Sequence, residues 1–243
     1  EDTIKLPANY RKKPTDAPDG AVHNSGELRA YHGVPRRGPV SDEMARNLTR
    51  GYYACVSYTD ASVGKLLDGL DRLGLADNTI IVLWGDHGWN LGDHTMWCKH
   101  SCFESSLRVP LLVAAPGQKL NRRSRRLVEL IDLYPTLCDL TGLVKPDHLQ
   151  GQSLIALLKD PEAKWKSFAI SRFSDGDSIR TDHFRYTKYS RPNGQALSQM
   201  LYDHKSDPVE NTNVANQSSQ AGILAKLLQA NMGKPGPQKQ KSK

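Results

Sequence analysis

The sequence predicts an α/β protein that ends in a smaller part of mixed α and β structure. Three observations lead to this prediction: one long amphipathic helical pattern, two short continuous apolar runs, and a final stretch of short mixed segments. A helix, a buried strand, a polar loop, a second buried strand and a helix follow one another in the order typical of an α/β domain. The 243 residues suffice for one large domain or for one domain with a small addition.

The composition is that of a folded chain with a basic balance. Apolar residues make up 38% of the chain and charged residues of both signs 24%, which favours folding over disorder. No run reaches the ~18 consecutive apolar residues that a membrane-spanning helix needs, so no membrane span is expected. The net charge of +7 permits an anionic partner without identifying one.

Part of the positive charge lies in a cluster of arginines at residues 122–126. One interpretation is a clamp for a sulfated or phosphorylated polymer, and the other, which we favour, is a solvated loop. No aromatic residues are interleaved with these arginines or with the lysines of residues 234–243. Since single-stranded nucleic acid is bound largely by stacking on aromatic rings, no nucleic-acid partner is expected.

A long helix is predicted after an extended segment at residues 1–40, where Pro, Gly and charged residues show no sustained periodicity. Ser41 is the expected N-cap, and Asp42 and Glu43 place negative charge in the first turn, where the helix dipole favours it. An apolar stripe with steps of three or four residues continues as far as Gly74, which ends the helix. The stripe consists of Met44, Leu48, Tyr52, Cys55, Val63, Leu66, Leu70 and Leu73.

Two continuous apolar runs follow, at residues 79–84 and 109–115. Such runs are typical of strands that are buried on both faces of a parallel sheet. Residues 127–140 then have a helical pattern that contains Pro135, so a kink or break is expected there.

The pattern changes after Gly142, and a small C-terminal subdomain is predicted at residues 145–233, after a core domain at residues 1–144. Short mixed segments predict an antiparallel sheet, and residues 223–232 predict a closing amphipathic helix. Residues 234–243 are rich in Lys, Pro and Gly and are expected to be a disordered basic tail. The predicted strand segments are residues 167–173, 178–189 and 200–202.

The densest group of reactive side chains lies between residues 84 and 102. Asp86 and His87 follow the first predicted strand, at the edge where ligands bind in open α/β sheets. A carboxylate and a neutral imidazole are two metal ligands that one tight turn can supply, although an Asp that caps a turn beside a solvated His is the common alternative. Lys99 could hold an oxyanion as a point charge, and His94 could donate a proton to a substrate oxygen. Taken alone, either residue is more often structural.

The same stretch permits two other interpretations. His94, Cys98, His100 and Cys102 could form a zinc site of mixed ligands, although their spacing is short and no second paired cluster exists. Cys98 and Cys102 could instead form a local disulfide in an oxidising compartment. The residues alone leave both possibilities open.

A series of motifs in a fixed order resembles the type I sulfatases of the alkaline-phosphatase superfamily, most closely the iduronate-2-sulfatase branch. The resemblance extends from residue 51 to residue 213, and an ordered series is far more specific than any single motif. The matching segments are residues 51–67, 78–94, 97–99, 108–112, 116–117, 128–136, 179–186 and 201–208.

The resemblance implies a sulfate-ester hydrolase with an alkaline-phosphatase-like mixed sheet that is flanked by helices. In that family the Asp-His pair, here Asp86 and His87, ligates a divalent ion, usually Ca²⁺, although calcium chemically prefers oxygen to the nitrogen of His87. Lys99 matches the lysine that contacts the sulfate, and His94 matches a position on the substrate side of the pocket. The implied substrate is a sulfated carbohydrate such as a glycosaminoglycan, and the implied compartment is periplasmic, secreted or lysosomal.

Two parts of the family pattern are missing from the chain. None of Cys55, Cys98, Cys102 and Cys138 begins the Cys-x-Pro/Ala-x-Arg motif whose cysteine or serine is oxidised to formylglycine, and no two aspartates are adjacent. We therefore expect the C-terminal half of a sulfatase, inactive alone, whose missing N-terminal half carries the formylglycine. The alternatives are a non-catalytic protein that binds sulfated glycans and a phosphodiester or phosphonate hydrolase of the same superfamily.

Overall fold

The structure is a computed structural model, and it describes residues 3–118 and 121–232. These residues divide into two compact units: residues 3–118 with 207–213, and residues 121–206 with 214–232. The division precedes residue 145, where the sequence analysis put the start of the C-terminal subdomain, and that boundary stays a prediction. The expected basic tail at residues 234–243 lies outside the described residues.

The first unit starts with a largely irregular segment that contains a short helix, α1 (Gly26–Arg29). The predicted long helix follows as α2 (Asp42–Arg72). Its start is confirmed, because the Ser41 hydroxyl accepts a hydrogen bond from the backbone N–H of Met44 at 3.1 Å. Its end is confirmed as well, because Gly74 adopts a left-handed φ of +66° just after the helix.

No residue of the apolar stripe of α2 is fully buried, since five are half-buried and Cys55, Leu66 and Leu73 are exposed. Ala45 and Thr49 are buried, whereas Tyr58 and Leu66 are 77% and 71% exposed. The periodicity therefore located the helix but not the surface that it buries. No helix in residues 3–118 or 121–232 is both long and apolar enough to cross a membrane. One buried apolar cluster of this unit consists of Leu28, Val40, Ala45, Trp97 and Cys98.

The two apolar runs form strands β1 (Ile81–Trp84) and, further along the chain, β4 (Leu111–Ala114). The prediction of parallel strands buried on both faces is wrong for the described residues. The two strands pair antiparallel with each other, and Trp84 lies opposite Leu111. Trp84 is 50% exposed. A continuous apolar run indicates a buried strand but does not fix the direction of its neighbour, which is why the sequence pattern misled here.

Between β1 and β4, the chain forms short elements that hold the candidate site. Strands β2 and β3 are two residues long and pair antiparallel, with Asn90 opposite Cys98. A 3₁₀ turn separates them, and a short helix, α3, leads towards β4. The bounds are β2 (Asn90–Leu91), β3 (Trp97–Cys98) and α3 (Glu104–Leu107).

The second unit contains an antiparallel sheet of four strands in chain order, followed by a helix, as predicted. Ile179 lies opposite Tyr186, and Tyr186 opposite Leu201, so the three side chains share one face. Leu224 and Leu228 of the last helix belong to the same core. The bounds are β5 (Phe168–Phe173), β6 (Gly176–Thr181), β7 (Phe184–Ser190), β8 (Ala196–Asp203) and α6 (Gln220–Asn231).

The helix expected at residues 127–140 begins later than the sequence pattern predicts. A 3₁₀ turn at Leu130–Asp132 leads into helix α4 (Leu133–Thr141), and α5 (Ile155–Lys159) follows. Pro135 therefore does not kink a longer helix but lies in the first turn of α4. A proline is tolerated there, because the first backbone N–H groups of a helix have no intrahelical partner.

Candidate functional site

Asp86 and His87 lie in the turn that directly follows β1. The Asp86 Oδ1 atom accepts a hydrogen bond from the backbone N–H of His87 at 3.1 Å, and Asp86 Oδ2 lies 3.6 Å from His87 Nε2. The Asp86 side chain is 84% exposed and the His87 side chain 34%. The two side-chain atoms thus face the same space, and their role as metal ligands stays a prediction.

Two glycines fix this turn against the segment before β4. The backbone N–H of Gly85 donates to the carbonyl of Pro110 at 3.1 Å, and that of Gly88 donates to the carbonyl of Ser106 at 2.8 Å. A Cβ atom built on Gly88 would overlap the carbonyl oxygen of Ser105. The close approach of the two backbones therefore requires glycine at position 88, and it holds Asp86 and His87 in place.

The hydrogen bonding of His87 leaves Nε2 for a ligand. His87 Nδ1 lies 2.9 Å from the carbonyl oxygen of Gly88, which can only accept, so Nδ1 carries the proton. In the neutral ring, Nε2 is then the acceptor, and it faces the Asp86 carboxylate. An imidazole whose other nitrogen donates to a carbonyl is the usual arrangement of a metal-binding histidine, and a cation between the two facing acceptors would be favourable.

Lys99 is linked to the Asp86–His87 pair through Trp89. The Lys99 ammonium lies 5.4 Å from the centroid of the Trp89 ring, within the range of a cation–π interaction. The rings of His87 and Tyr52 stack on Trp89, with centroid distances of 5.8 Å and 5.9 Å. The structure thus brings three of the four predicted site residues into one neighbourhood, since His87 and Lys99 both contact the Trp89 ring and Asp86 faces His87.

The ammonium group of Lys99 also forms an ion pair with Glu27 at 2.8 Å. This hydrogen bond is the main reason why the pKa of Lys99 is raised above its ordinary value, and the ammonium is charged throughout the neutral range. The sequence analysis missed Glu27 because it lies 72 residues before Lys99, in a segment without periodicity. Trp89 could have been found, since it is two residues from His87 in the reactive stretch.

His94 lies in a buried environment of its own. It is 2% exposed, its ring centroid is 4.7 Å from that of Phe103, and the Asn9 Nδ2 atom is 3.4 Å from both ring nitrogens. Burial lowers the pKa of His94, although the nearby carboxylates of Glu210 and Asp93 act in the opposite direction. Its contacts within the described residues do not include the other three site residues. A role of His94 on the substrate side stays a prediction.

The zinc and disulfide interpretations find no support in the described residues. None of the four cysteines, all of which lie within the described residues, forms a disulfide, and Cys98 and Cys102 are buried. Burial, with a smaller effect of Glu27, raises the pKa of Cys98 to about 11, which keeps it as the thiol that metals bind poorly. The four residues His94, Cys98, His100 and Cys102 do not bring three ligand atoms together.

The arginine cluster at residues 122–126 serves partly to hold a neighbouring loop. Arg122 donates to the carbonyl of Lys159 at 2.6 Å, and Arg126 donates to the carbonyl of Glu162 at 2.7 Å. These contacts support the structural interpretation of the cluster, because two of its guanidinium groups already bind backbone oxygens.

Two family models match the chain. Residues 6–143 match the model described as Sulfatase, and residues 92–234 match the model described as N-sulphoglucosamine sulphohydrolase, C-terminal. The first match contains all four predicted site residues, and the second extends through the described part of the second unit.

Curated proteins and solved structures are similar over most of this chain. Iduronate 2-sulfatase of Mus musculus is 32% identical in an alignment that covers 78% of this chain and 48% of the mouse protein. BT4656 in complex with its substrate D-glucosamine-2-N,6-O-disulfate has a TM-score of 0.69 and 29% identity over 76% of this chain and 40% of that one. A phosphonate monoester hydrolase of Agrobacterium radiobacter has a TM-score of 0.71 and 30% identity, covering 80% and 44%. This chain spans 33% to 48% of the length of the curated relatives that it matches.

Proposed function

Since the chain belongs to the sulfatase family, we propose that it carries part of the active site of an enzyme that hydrolyses sulfate esters of sulfated sugars. The observation on which this proposal rests is the position of Asp86 Oδ2 and His87 Nε2, 3.6 Å apart just after β1, with both His87 and Lys99 in contact with the Trp89 ring. This arrangement combines two candidate metal ligands with a fixed positive charge, and both features suit a sulfate group.

Asp86 and His87 would hold a divalent cation, with Ca²⁺ as the first candidate. Such an ion would neutralise charge on the sulfate oxygens when bound. The exposed Asp86 Oδ2 and the acceptor Nε2 of His87 fit two positions of a metal shell. Because Ca²⁺ takes 6–8 ligands, mostly oxygens, the remaining ligands would come from substrate, water or other parts of the enzyme.

Lys99 would bind a sulfate oxygen with its ammonium group. Glu27 occupies one of the three N–H donors, so the ammonium can still donate to an anion. Charge develops on the sulfate and on the leaving oxygen during cleavage, and a fixed ammonium that faces this charge stabilises the transition state. His94 fits a substrate-side role less well, because it is buried and its pKa is lowered.

The nucleophile would be a formylglycine on an N-terminal half of the enzyme. The 243 residues contain no motif for it, and we propose that this chain alone does not hydrolyse sulfate esters. The finer proposal for the substrate is the iduronate-2-sulfatase type, which the similarity to the mouse enzyme supports. A periplasmic, secreted or lysosomal location is proposed on the same family grounds.

The test is hydrolysis of an aryl sulfate by the intact enzyme that contains these residues, compared with Asp86→Ala and Lys99→Ala variants. We expect both variants to lose most of their activity, and Asp86→Ala to lose bound metal as well. Asp68→Ala and Lys164→Ala, which remove exposed side chains of the same types, are the matched controls. Full activity of both site variants would contradict the proposal.

The similarity to the phosphonate monoester hydrolase favours a second candidate function, the hydrolysis of phosphonate or phosphate esters. The cation and the lysine that suit a sulfate would also suit a phosphoryl group, because sulfate and phosphoryl groups both present anionic oxygens. An aryl phosphonate measured beside the aryl sulfate separates the two. Faster hydrolysis of the sulfate supports the first proposal, and faster hydrolysis of the phosphonate supports the second.

A further inference from the structure

Glu27 places a largely buried carboxylate beside the ammonium group of Lys99. Its Oε1 atom lies 2.8 Å from Lys99 Nζ, and the Glu27 side chain is 24% exposed. Its Oε2 atom is buried without a hydrogen bond to the described residues, and His100 Nε2 lies 3.9 Å away. Burial of a carboxylate oxygen without a hydrogen-bond donor lowers the stability of a fold. The position of Glu27 is therefore unfavourable for stability on this count.

The segment around Glu27 is fastened to the segment around Lys99. The Ser25 hydroxyl accepts from the backbone N–H of Trp97 at 2.9 Å, and the His23 ring bonds to the carbonyl oxygen of His100. The His23 ring also accepts from the backbone N–H of Ser25 at 2.8 Å. These bonds anchor the chain just before α1 to residues on both sides of Lys99, which keeps the backbone of Glu27 next to that lysine.

The side chain of a lysine is flexible, and it loses conformational freedom when it is fixed on a ligand. Glu27 removes part of this cost in advance, because the ammonium is already held between the carboxylate and the Trp89 ring. Lys99 is 31% exposed, so it stays accessible to an anion. The Trp89 ring in turn stacks on His87, next to Asp86.

We propose that Glu27 is the positioning residue of Lys99: it holds the ammonium group over the Trp89 ring, on which His87 also stacks, and leaves the remaining N–H donors of Lys99 to bind an oxyanion. The identity of that oxyanion as a sulfate ester rests on the proposed function. The contact between Glu27 and Lys99 is independent of the proposed function.

The first experiment measures how fast the Lys99 amine is acetylated by an N-hydroxysuccinimide ester at neutral pH, with peptide mass spectrometry as the readout. Only the uncharged amine reacts, and the titratable groups that influence its pKa are Glu27, Cys98 and Tyr31, of which only Glu27 is charged at neutral pH. In Glu27→Gln and Glu27→Ala we expect the rate at Lys99 to rise by about threefold or more, because a charged hydrogen bond is lost. Glu43→Gln, which alters an exposed acid of α2, is the control and should leave the rate unchanged.

An unchanged rate at Lys99 in both Glu27 variants would overturn the inference. Glu27→Gln keeps the size and one acceptor oxygen of the side chain, so it remains informative if Glu27→Ala fails to fold. This assay needs no substrate and no turnover. Protection of Lys99 from acetylation by inorganic sulfate is measured separately, and its absence would count against the proposed function while leaving the role of Glu27 in place.

The second experiment is a double-mutant cycle on aryl sulfate hydrolysis by the intact enzyme. If Glu27 acts through Lys99, Glu27→Ala lowers kcat/KM in the native background and causes no further loss in the Lys99→Ala background. Equal losses in both backgrounds would indicate a general structural role and contradict the inference.

Discussion

The Asp86 Oδ2 atom lies 3.6 Å from His87 Nε2, while the other ring nitrogen of His87 donates to the carbonyl of Gly88. Both facing atoms are therefore acceptors when the imidazole is neutral, and a cation between them resolves their mutual repulsion. The position of Asp86 and His87 follows from the local sequence around them. A strand ends at Trp84, and a glycine on each side of the pair lets the backbone turn closely against the segment before β4.

A methyl group at position 88 should disrupt this turn. Gly88→Ala would force a Cβ atom against the carbonyl oxygen of Ser105, and the backbone at one of these two residues must shift to accommodate it. We expect the free energy of unfolding to fall by about 1 to 3 kcal/mol, measured by urea denaturation. Gly222→Ala is the control, because its Cβ would meet no atom within 4 Å and alanine favours the helix. Equal stability of Gly88→Ala and the native protein would contradict the close approach.

Loss of the Lys99 charge should lower turnover more than substrate binding. In the proposed enzyme, Lys99→Ala removes a fixed charge that faces the sulfate, and we expect a decrease in kcat of about 10²-fold in steady-state kinetics. Lys99→Arg keeps the charge but not the compact shape of the ammonium, and it should recover only part of the activity. A change in KM with an unchanged kcat would show that Lys99 contributes only to ground-state binding.

Burial of His94 predicts a loss of stability in acid. The pKa of His94 is lowered in the folded state. The unfolded chain therefore binds a proton on His94 more readily, and protonation below the ordinary histidine pKa of about 6.5 favours unfolding. The free energy of unfolding should therefore decrease as the pH falls through that value towards the lower folded-state pKa. His94→Gln should reduce this slope.

The slope is measured by urea denaturation at a series of pH values. His148→Gln is the control, because His148 is exposed and should leave the slope unchanged. A slope in His94→Gln equal to that of the native protein would mean that other groups cause the acid sensitivity.

A buried ion-pair network in the second unit should contribute strongly to its stability. Lys166 Nζ lies 2.8 Å from Asp132 Oδ2 and also binds Glu129, and Asp132 is fully buried. Lys166→Met would leave two carboxylates without their shared cation, at an expected cost of about 3 to 5 kcal/mol in urea denaturation. Lys164→Met, at an exposed lysine, should change stability little. A small effect at Lys166 would mean that the carboxylates find other partners.

The sequence predicted local features of the fold well. The N-cap at Ser41, the stop at Gly74 and the antiparallel C-terminal sheet all follow from interactions within a few residues or from strand periodicity. It failed on the direction of β1 and on the burial of the α2 stripe, because both depend on which segment packs against an apolar surface.

The candidate site could be predicted only in part for the same reason. Asp86, His87 and Trp89 lie within four residues of one another, and their proximity is visible in the sequence. The pairing of Lys99 with Glu27 joins residues 72 positions apart and leaves no periodic signal. The burial of His94 against Asn9 and Phe103 likewise depends on the tertiary structure.

The decisive measurement is Ca²⁺ binding at Asp86. Calorimetric titration of the intact enzyme with Ca²⁺ would compare the native protein with Asp86→Ala and with the exposed control Asp68→Ala. If Asp86 is a metal ligand, Asp86→Ala weakens Ca²⁺ binding at least about tenfold, because a carboxylate ligand is lost, while Asp68→Ala binds like the native protein. Equal Ca²⁺ affinity of Asp86→Ala and the native protein would contradict this role of Asp86.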